Sequence, residues 1–370
     1  MPGRNGSEGP RITLVFPLYR TAETVAGLVE GVARQRPLAG TDPGGWAEVI
    51  FMDDASPDDT AARLREALRA APLPIRARVV QNERNLGLSR SLNRALAMVE
   101  TDYVLTCHGD CRFGSEDYVA RAVALLDEHP DVGAVSGQSV ADVEAGLSRA
   151  EKVYLAANLM DVFPDSDEGL VPVGFAEGRC DAFRMEALRG AGFYDTTVRT
   201  AGEDQILAAR MRANGYRVCK APALRYFLSA SSAQDSPMRL VRHARLFGRV
   251  HPYLLLGNRG TLAGAAGAIA GGNRTRRSLL RALQLLGGLT WGWLAASAAT
   301  RRPVGPPLAV IAGTSLVKAV LVRRYVRDLR FDAGDLATLA ALQPPLDISY
   351  AAGFGKGLLQ LVARGERDIA

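Results

Sequence analysis

Apolar runs alternate with amphipathic segments from about residue 11 to about residue 221 of this chain. The runs have the length of strands buried on both faces, and the segments between them repeat apolar residues at helical spacing. The predicted strands are Ile12–Phe16, Glu48–Met52, Arg78–Gln81, Tyr103–Cys107, Val132–Val135 and Tyr216–Ala221. The predicted helices are Thr24–Arg34, Pro57–Ala70, Ser89–Glu100, Ser115–Glu128, Leu147–Met160 and Glu203–Asn214. This order predicts an α/β fold in which helices cover a mostly parallel sheet.

Signals at the ends of these elements add detail. Ser56 and Ser115 each lie at the start of a predicted helix, where a hydroxyl can accept a backbone N–H, so both are candidate N-terminal caps. Pro57 suits the first position of a helix. Beyond residue 160 the alternation weakens, and the segment Val171–Phe183 predicts strands at the edge of the sheet.

The C-terminal third contains two long apolar stretches. Residues 282–300 form nineteen positions without a charged residue, and residues 303–322 are interrupted only by Lys318. Each stretch approaches the length of about 20 residues that crosses a bilayer. Ala and Gly are frequent in both, so a soluble helical hairpin is an alternative. The arginines that flank the pair favour a membrane hairpin with both ends in the cytoplasm.

Charge is divided unevenly along the chain. Residues 239–330 hold sixteen Lys or Arg residues and one acid, Asp328, whereas the remainder carries 29 basic and 38 acidic residues. An acidic body joined to a basic, apolar region favours a membrane surface or phosphate groups as partners and disfavours nucleic acid.

Cysteine usage and the N-terminus indicate the compartment. The four cysteines form no CxxC pair, which is typical of buried, reduced thiols in a cytosolic protein. The first ten residues are polar and glycine-rich and lack the apolar core of a signal peptide. We therefore expect the catalytic part to stay in the cytoplasm.

Acidic residues recur at the ends of predicted strands and at a helix start. Asp53 and Asp54 end the second strand, Asp110 follows the fourth, and Glu203 and Asp204 begin a helix. In open α/β sheets ligands bind outside the carboxyl ends of the strands. Each acid taken alone could belong to a turn, a cap or a helix first turn. Together they predict one active site.

The position of each acid indicates a chemical role. A carboxylate after the second strand can accept hydrogen bonds from a base or a ribose, which suits Asp53 and Asp54. An oxygen ligand at Asp110 can hold Mg²⁺ or Mn²⁺ against a diphosphate. Asp204 at a helix start is expected to stay ionised through the helix dipole, so that it can act as a general base.

Several motifs in sequence order resemble those of the family 2 glycosyltransferases, which have the GT-A fold. The resemblance covers about residues 11–228. The N-terminal matches are Phe16-Pro17-Leu18-Tyr19, Met52-Asp53-Asp54-Ala55-Ser56 and Asn85-Leu86-Gly87-Leu88 with Asn93. The later matches are Gly178-Arg179-Cys180-Asp181-Ala182-Phe183-Arg184, Gly192-Phe193-Tyr194-Asp195 and Gly202-Glu203-Asp204-Gln205-Ile206-Leu207.

The resemblance implies a role for each matching residue. Nucleotide binding is expected from Pro17, Tyr19, Asp53, Asp54, Asn85 and Gly87. Asp110 matches the last acid of the family's metal-binding DxD motif, so a divalent metal, Mn²⁺ or Mg²⁺, is the expected cofactor. Asp204 matches the base that deprotonates the acceptor, which predicts inversion at the anomeric carbon.

The chain departs from the family pattern at His108, which stands where the first acid of the DxD motif is expected. An imidazole can ligate Mn²⁺ but suits Mg²⁺ less well, because Mg²⁺ prefers oxygen ligands. His108 is therefore a second candidate metal ligand. Glu203, Arg245 and Arg249 are candidate contacts for the acceptor or the diphosphate, the two arginines lying on a basic amphipathic segment.

These observations predict a membrane-associated glycosyltransferase of the exopolysaccharide type, at the cytoplasmic face of the cell membrane. It would take a nucleotide sugar as donor and a lipid-linked or glycan acceptor. The alternative is a non-catalytic nucleotide-binding membrane scaffold. The predicted divisions are a flexible N-terminus (1–10), a GT-A catalytic domain (11–228), a basic interface segment (229–260), a helical membrane hairpin (261–330) and a C-terminal tail (331–370).

Other nucleotide-dependent enzymes fit less well. A nucleotidylyltransferase would carry a glycine-rich basic loop after the first strand, and Pro17-Leu18-Tyr19-Arg20-Thr21 is not one. Neither the GxGxxG turn of a dinucleotide-binding dehydrogenase nor the GxxxxGK[ST] loop of a P-loop enzyme occurs after a predicted strand.

Overall fold

The computed structural model describes residues 9–41, 45–141, 143, 146–160, 162, 169–197, 202–228, 237–254 and 273–364. The chain divides into two units. The first comprises Met1–Ala141 and Phe163–Ser231, and the second comprises Asp142–Val162 and Ser232–Ala370. The boundary near residue 231 is close to the expected one, but residues 142–162, expected in the catalytic domain, belong to the second unit.

The first unit is built on a mixed sheet. Its strands are β1 (Ile12–Leu18), β2 (Ala47–Asp53), β3 (Arg76–Gln81), β4 (Tyr103–Cys107), β5 (Cys111–Phe113), β6 (Val132–Val140), β7 (Val171–Pro172), β8 (Cys180–Arg184) and β9 (Arg217–Leu228). Their spatial order is β3-β2-β1-β4-β8-β6-β9-β5, and β7 also pairs with β9. Strands β1 to β4 run parallel to one another, as the alternation of strands and helices predicted.

Helices cover both faces of this sheet. Those of the first unit are α1 (Val25–Ala33), α2 (Thr60–Ala70), α3 (Leu88–Leu96), α4 (Tyr118–Glu128), α6 (Met185–Gly190) and α7 (Glu203–Ala213). Alternate residues of β1 feed two separate cores: Leu14 and Phe16 belong to one cluster, and Val15 belongs to the other. The α/β fold class is confirmed.

Strand β8 corrects the expectation of edge strands in Val171–Phe183. It lies in the middle of the sheet, antiparallel to both β4 and β6. Cys180, Ala182 and Phe183 are buried, as a central position requires. Because β8 runs against its neighbours, its first residue lies beside the last residue of β4, with Cys180 opposite Cys107. The residues before β8 therefore reach the carboxyl edge of the parallel strands.

The two predicted serine caps are wrong. Helix α2 begins at Thr60 and is preceded by Asp59 rather than Ser56. The Ser56 backbone N–H instead donates to Asp53 Oδ1 at 3.2 Å, which places Ser56 in a turn after β2. Helix α4 begins at Tyr118, preceded by Asp117 rather than Ser115. In both cases a turn occupies the residues where the helix was expected to begin.

The second unit is helical. It contains α5 (Arg149–Ala157), α8 (Pro237–Pro252), α9 (Asn273–Ala299), α10 (Gly305–Asp328) and α11 (Ala333–Arg364). Helices α9 and α10 match the two apolar stretches. Helix α11 replaces the expected C-terminal tail, and its 32 residues include Pro344 and Pro345, which argue against a helix when the sequence is read locally.

Glycines allow the helices of this unit to approach closely. A Cβ on Gly248 of α8 would collide with the Tyr350 carbonyl of α11, and one on Gly353 of α11 would collide with the Arg245 carbonyl. Gly287 of α9 lies against the Asp347 carboxylate of α11. Asp347 also pairs with Lys318 of α10, and both side chains are buried. A buried ion pair thus links α10 to α11.

Within the described residues, Gly305–Asp328 is the helix whose length and composition would allow it to cross a membrane. Large apolar side chains are exposed on α9, α10 and α11, including Leu289, Leu316, Val320, Leu359 and Val362.

Candidate active site

The carboxyl edge of β1, β2 and β4 brings the predicted site residues of the first unit into one region of the sheet. Leu18 pairs with Asp53 at the ends of β1 and β2, so the two strands end together. Asp110 follows β4 by three residues. The start of β8 reaches the same edge through its antiparallel pairing, and the backbone N–H of His108 donates to the Arg179 carbonyl at 2.8 Å.

Asp53 and Asp54 are buried and hold the backbone around them. Asp53 accepts hydrogen bonds from the Ser56 backbone N–H and from Gln81 Nε2, the latter at 2.9 Å. Asp54 Oδ1 accepts from the Leu86 backbone N–H at 2.7 Å, and its Oδ2 accepts from the Gly87 N–H at 2.9 Å. These carboxylates fix the loop between β3 and α3. Their direct contact with a nucleoside stays a prediction.

The loop before α3 has a residue that the sequence did not single out. Asn82 is buried and donates from Nδ2 to Asp54 Oδ1 at 2.7 Å. Asn85 approaches the Asp54 carbonyl from Nδ2 at 3.5 Å, a weaker contact. Gly87 has a φ of 85°, a conformation that glycine adopts at little cost. The signal for Asn82 was its place one residue after β3.

Pro17 and Tyr19 lie at the end of β1. Pro17 is half-buried within the strand, and Tyr19 is 43% exposed. The guanidinium of Arg20 lies 5.4 Å from the centroid of the Tyr19 ring. An exposed aromatic face here is suited to stacking on a planar group. Contact of either residue with a base stays a prediction.

His108 and Asp110 flank the tight turn after β4. Burial lowers the pKa of His108 to about 4, so its imidazole is neutral near pH 7. His108 Nε2 is buried without a hydrogen-bond partner in the described structure. The Asp110 carboxylate is partly exposed, and its Oδ2 lies 3.8 Å from Arg179 Nη1. The pair therefore offers one neutral nitrogen and one carboxylate.

The side chains of His108 and Asp110 suit a metal that is also bound by a substrate. No group of three His, Cys, Asp or Glu side chains arranged to hold a metal occurs among the described residues. A neutral imidazole and a carboxylate are nonetheless ligands that Mn²⁺ accepts. The remaining coordination positions would have to come from oxygen atoms of a diphosphate and from water. The two residues fit a metal of that kind rather than one enclosed by protein.

Asp204 lies in the first turn of α7, directly after Glu203. Gly202 precedes the helix with a φ of 92°, so the chain turns sharply into it. Asp204 Oδ1 accepts from the Gln205 backbone N–H at 2.8 Å. Burial, and then the charge of Glu203, raise the pKa of Asp204 well above its usual value. The helix dipole was expected to keep this carboxylate ionised, but burial and the neighbouring acids outweigh it.

Further acids lie around Asp204, and their position was not expected from the sequence. Asp181 on β8 and Asp204 both line one small pocket together with Gly178, Tyr194 and Phe183. Glu177 precedes them and pairs with Lys220 of β9 at 3.3 Å. The signal for Asp181 was an acid within the buried run from Cys180 to Phe183.

The remaining candidate contacts are divided between the two units. Glu203 is buried beside Asp204. Arg245 and Arg249 lie on α8 of the second unit. Arg249 Nε donates to Gln360 Oε1 of α11 at 2.7 Å, so this arginine contributes to helix packing. Contact of these residues with an acceptor or a diphosphate stays a prediction.

Comparison with known proteins identifies the family. Residues 13–190 match the family model described as Glycosyl transferase family 2, a span that includes β1 to β4, β8 and the acidic residues at their ends up to Asp181. This match assigns residues 13–190 of the chain to glycosyltransferase family 2. The motif resemblance in the sequence is thereby confirmed.

Individual relatives of this family 2 glycosyltransferase match over part of their length. EpsE of Bacillus subtilis is 28% identical over 123 residues, which are 33% of this chain and 41% of EpsE. The undecaprenyl-phosphate 4-deoxy-4-formamido-L-arabinose transferase of Klebsiella pneumoniae is 29% identical over 122 residues, 33% of this chain and 35% of that protein. The chain thus spans less than half the length of these curated relatives.

A solved structure confirms the GT-A fold of this family 2 glycosyltransferase. The mannosyltransferase PcManGT from Pyrobaculum calidifontis, in complex with GDP-Man and Mn²⁺, superposes with a TM-score of 0.53 at 20% identity. The superposition covers 90% of this chain and 86% of PcManGT.

Proposed function

We propose that this protein is an inverting glycosyltransferase that moves a sugar from a nucleotide diphosphate sugar to an acceptor in cell-envelope or exopolysaccharide synthesis. The observation that carries the proposal is the position of Asp204, which stands in the first turn of α7 and lines a pocket against the sheet. A carboxylate with a raised pKa is a strong base once it is ionised.

In the proposed reaction Asp204 takes the proton of an acceptor hydroxyl while the hydroxyl oxygen attacks the anomeric carbon. The attack comes from the face opposite the nucleotide, so the new glycosidic bond forms as the bond to the diphosphate breaks. The configuration at the anomeric carbon inverts, and the nucleoside diphosphate leaves with the electron pair of the broken bond. Asp53, Asp54 and Asn82 keep the nucleotide-facing loops in place.

A divalent metal, Mn²⁺ or Mg²⁺, would be held by Asp110 and His108. When bound, such a metal neutralises charge on the departing diphosphate. Arg179 lies beside Asp110 and adds a fixed positive charge at the same place. The donor set described above supports this assignment, and the Mn²⁺ complex of PcManGT is a precedent for the fold.

The acceptor and the location form the second part of the proposal. The name of the Klebsiella relative describes a transferase of undecaprenyl phosphate, which supports a lipid-linked or glycan acceptor here. The length of Gly305–Asp328 and the exposed apolar side chains on α9 to α11 support a membrane-embedded hairpin, with catalysis at the cytoplasmic face. Recovery of the full chain in the soluble fraction without detergent would contradict that location.

Nucleotide release tests the activity. The purified full chain is incubated with UDP-, GDP- and dTDP-sugars and either Mn²⁺ or Mg²⁺, with a membrane lipid extract as the source of acceptor. We expect release of nucleotide from one class of donor. Asp204→Asn removes the general base, so we expect it to lower the rate of transfer by about 10²- to 10⁴-fold with little change in nucleotide affinity.

Two outcomes would overturn the assignment. Binding of nucleotide without any consumption of donor would favour a non-catalytic scaffold. Full activity of Asp204→Asn would remove the base from the mechanism. An acceptor phosphate that is already ionised has little need of a base, so the size of the loss also indicates whether the acceptor atom is a hydroxyl or a phosphate oxygen.

A further inference from the structure

Asp181 is a carboxylate that the proposed mechanism does not yet use. It lies on β8, in the centre of the sheet, and its relative exposure is 0%. Its Oδ1 accepts a hydrogen bond from Ser136 Oγ of β6 at 2.5 Å. Its Oδ2 is buried without a hydrogen-bond partner in the described structure. A buried carboxylate oxygen without a hydrogen-bond partner lowers the stability of the folded protein. The presence of such a carboxylate on a central strand therefore calls for an explanation.

Gly178 connects Asp181 to Asp204. Both acids and Gly178 line the same pocket. A Cβ built on Gly178 would lie 3.5 Å from the Asp204 Cβ and 3.9 Å from Asp204 Oδ2. Gly178 has a φ of 70°, which bends the chain sharply just before β8. The bend brings the base against the residues that precede Asp181.

The charges around the two acids are mostly negative. Glu177 is a second acid beside Asp181, and Glu203 is beside Asp204. Lys220 of β9, which pairs with Glu177, is a cation that acts on Asp181. Tyr194 lines the same pocket as the two acids. Burial, with Glu177 adding to it, raises the pKa of Asp181 to about 7, although Ser136 acts in the opposite direction.

We propose that Asp181 is a positioning residue for the transfer reaction, whose negative charge near Gly178 strengthens Asp204 as the base that accepts the acceptor proton. The role rests on the proposed function, since it acts through Asp204. The proton goes from the acceptor hydroxyl to Asp204, and Asp181 makes no bond to substrate. Two like charges held close together titrate as a pair, so each acid controls how strongly the other holds a proton.

The alternative is a purely structural Asp181 that keeps the turn before β8 in place. Ser136 Oγ also accepts the Glu177 backbone N–H at 3.2 Å, so the Ser136–Asp181 pair does support that turn. The variant Asp181→Asn separates the two roles. An amide oxygen can still accept the Ser136 hydrogen bond, but the charge is gone.

The pH profile of kcat/KM is the first test. In Asp181→Asn we expect the acid limb, where activity rises with pH, to move to lower pH by about one unit, because Asp204 loses a like-charged neighbour. The value of kcat/KM on the high-pH plateau should fall several-fold, since a less basic Asp204 is a weaker proton acceptor. The control is Glu48→Gln, another buried carboxylate, which pairs with Arg78 near the opposite end of the strands. An acid limb that does not move in Asp181→Asn, or that moves equally in Glu48→Gln, would overturn the proposal.

Thermal unfolding as a function of pH gives a second readout that does not depend on turnover. A carboxylate with a raised pKa binds its proton more tightly in the folded state, so the folded protein loses stability as pH rises from about 4 through about 7. We therefore expect Asp181→Asn to gain melting temperature relative to the wild type between pH 5 and pH 8. That gain should shrink by roughly half or more in an Asp204→Asn background, because the coupled charge is already absent.

Comparison of the two single variants with the double variant Asp181→Asn/Asp204→Asn separates failure of the inference from failure of the proposed function. Coupling between the two variants without any donor consumption would leave Asp181 and Asp204 as an interacting pair in a protein with another activity. Donor consumption without coupling in either experiment would retain the glycosyltransferase and reject the role of Asp181.

Discussion

The backbone N–H of Gly87 donates to Oδ2 of Asp54 across a distance of 2.9 Å. Leu86 donates to the other oxygen of the same carboxylate, so one side chain at the end of β2 holds the loop that leads into α3. Asp54, which is expected to contact a nucleoside, thus also has a structural role in holding this loop.

Asp54→Asn should loosen the loop before α3. An amide has one oxygen, so one of the two backbone N–H groups loses its partner, which costs about 1–3 kcal/mol in a buried site. We expect a lower melting temperature and a higher KM for the donor. Asp59→Asn is the control, because Asp59 is exposed and makes no side-chain cap bond to α2. Unchanged melting temperature and KM in Asp54→Asn would contradict the interpretation of this contact.

Asp110→Asn should weaken the effect of metal on nucleotide binding. Calorimetric titration of UDP or GDP is carried out with Mn²⁺ and with a chelator. In the wild type we expect Mn²⁺ to raise the affinity for the nucleotide. In the variant we expect this gain in affinity to be smaller by about tenfold or more. Asp102→Asn, at the other end of β4, is a matched control on an exposed carboxylate. The same gain from Mn²⁺ in Asp110→Asn and in the wild type would exclude Asp110 as the ligand.

The Lys318–Asp347 pair predicts a double-mutant pattern in the second unit. Both side chains are buried, and removing one leaves an uncompensated charge, which costs about 3–5 kcal/mol. We expect Lys318→Met to lower the melting temperature in detergent, and Lys318→Met with Asp347→Asn to recover at least half of the loss. Lys356→Met, on the exposed face of α11, is the control. A double variant less stable than either single variant would show that the pair itself stabilises the helices.

Some residues of the candidate site could be predicted from local sequence alone. Asp53, Asp54 and Asp110 follow apolar strands, and parallel strands place their carboxyl ends along one edge. The role of Asp181 could not be predicted, because no local pattern indicates that β8 lies in the middle of the sheet, antiparallel to its neighbours. Asn82 was missed for a similar reason, since its importance comes from a partner 28 residues earlier in the chain.

The amino-acid sequence by itself determined the β/α series, the acids at the strand ends, the family and the two apolar helices, because each of these follows from periodicity or from short motifs. Tertiary structure decided the rest. It placed β8 between β4 and β6, joined residues 142–162 to the C-terminal helices, and extended α11 through Pro344 and Pro345. It also surrounded Asp204 with buried acids, so that burial and like charge outweigh the helix dipole. Those outcomes depend on contacts between residues far apart in the chain, which local pattern does not record.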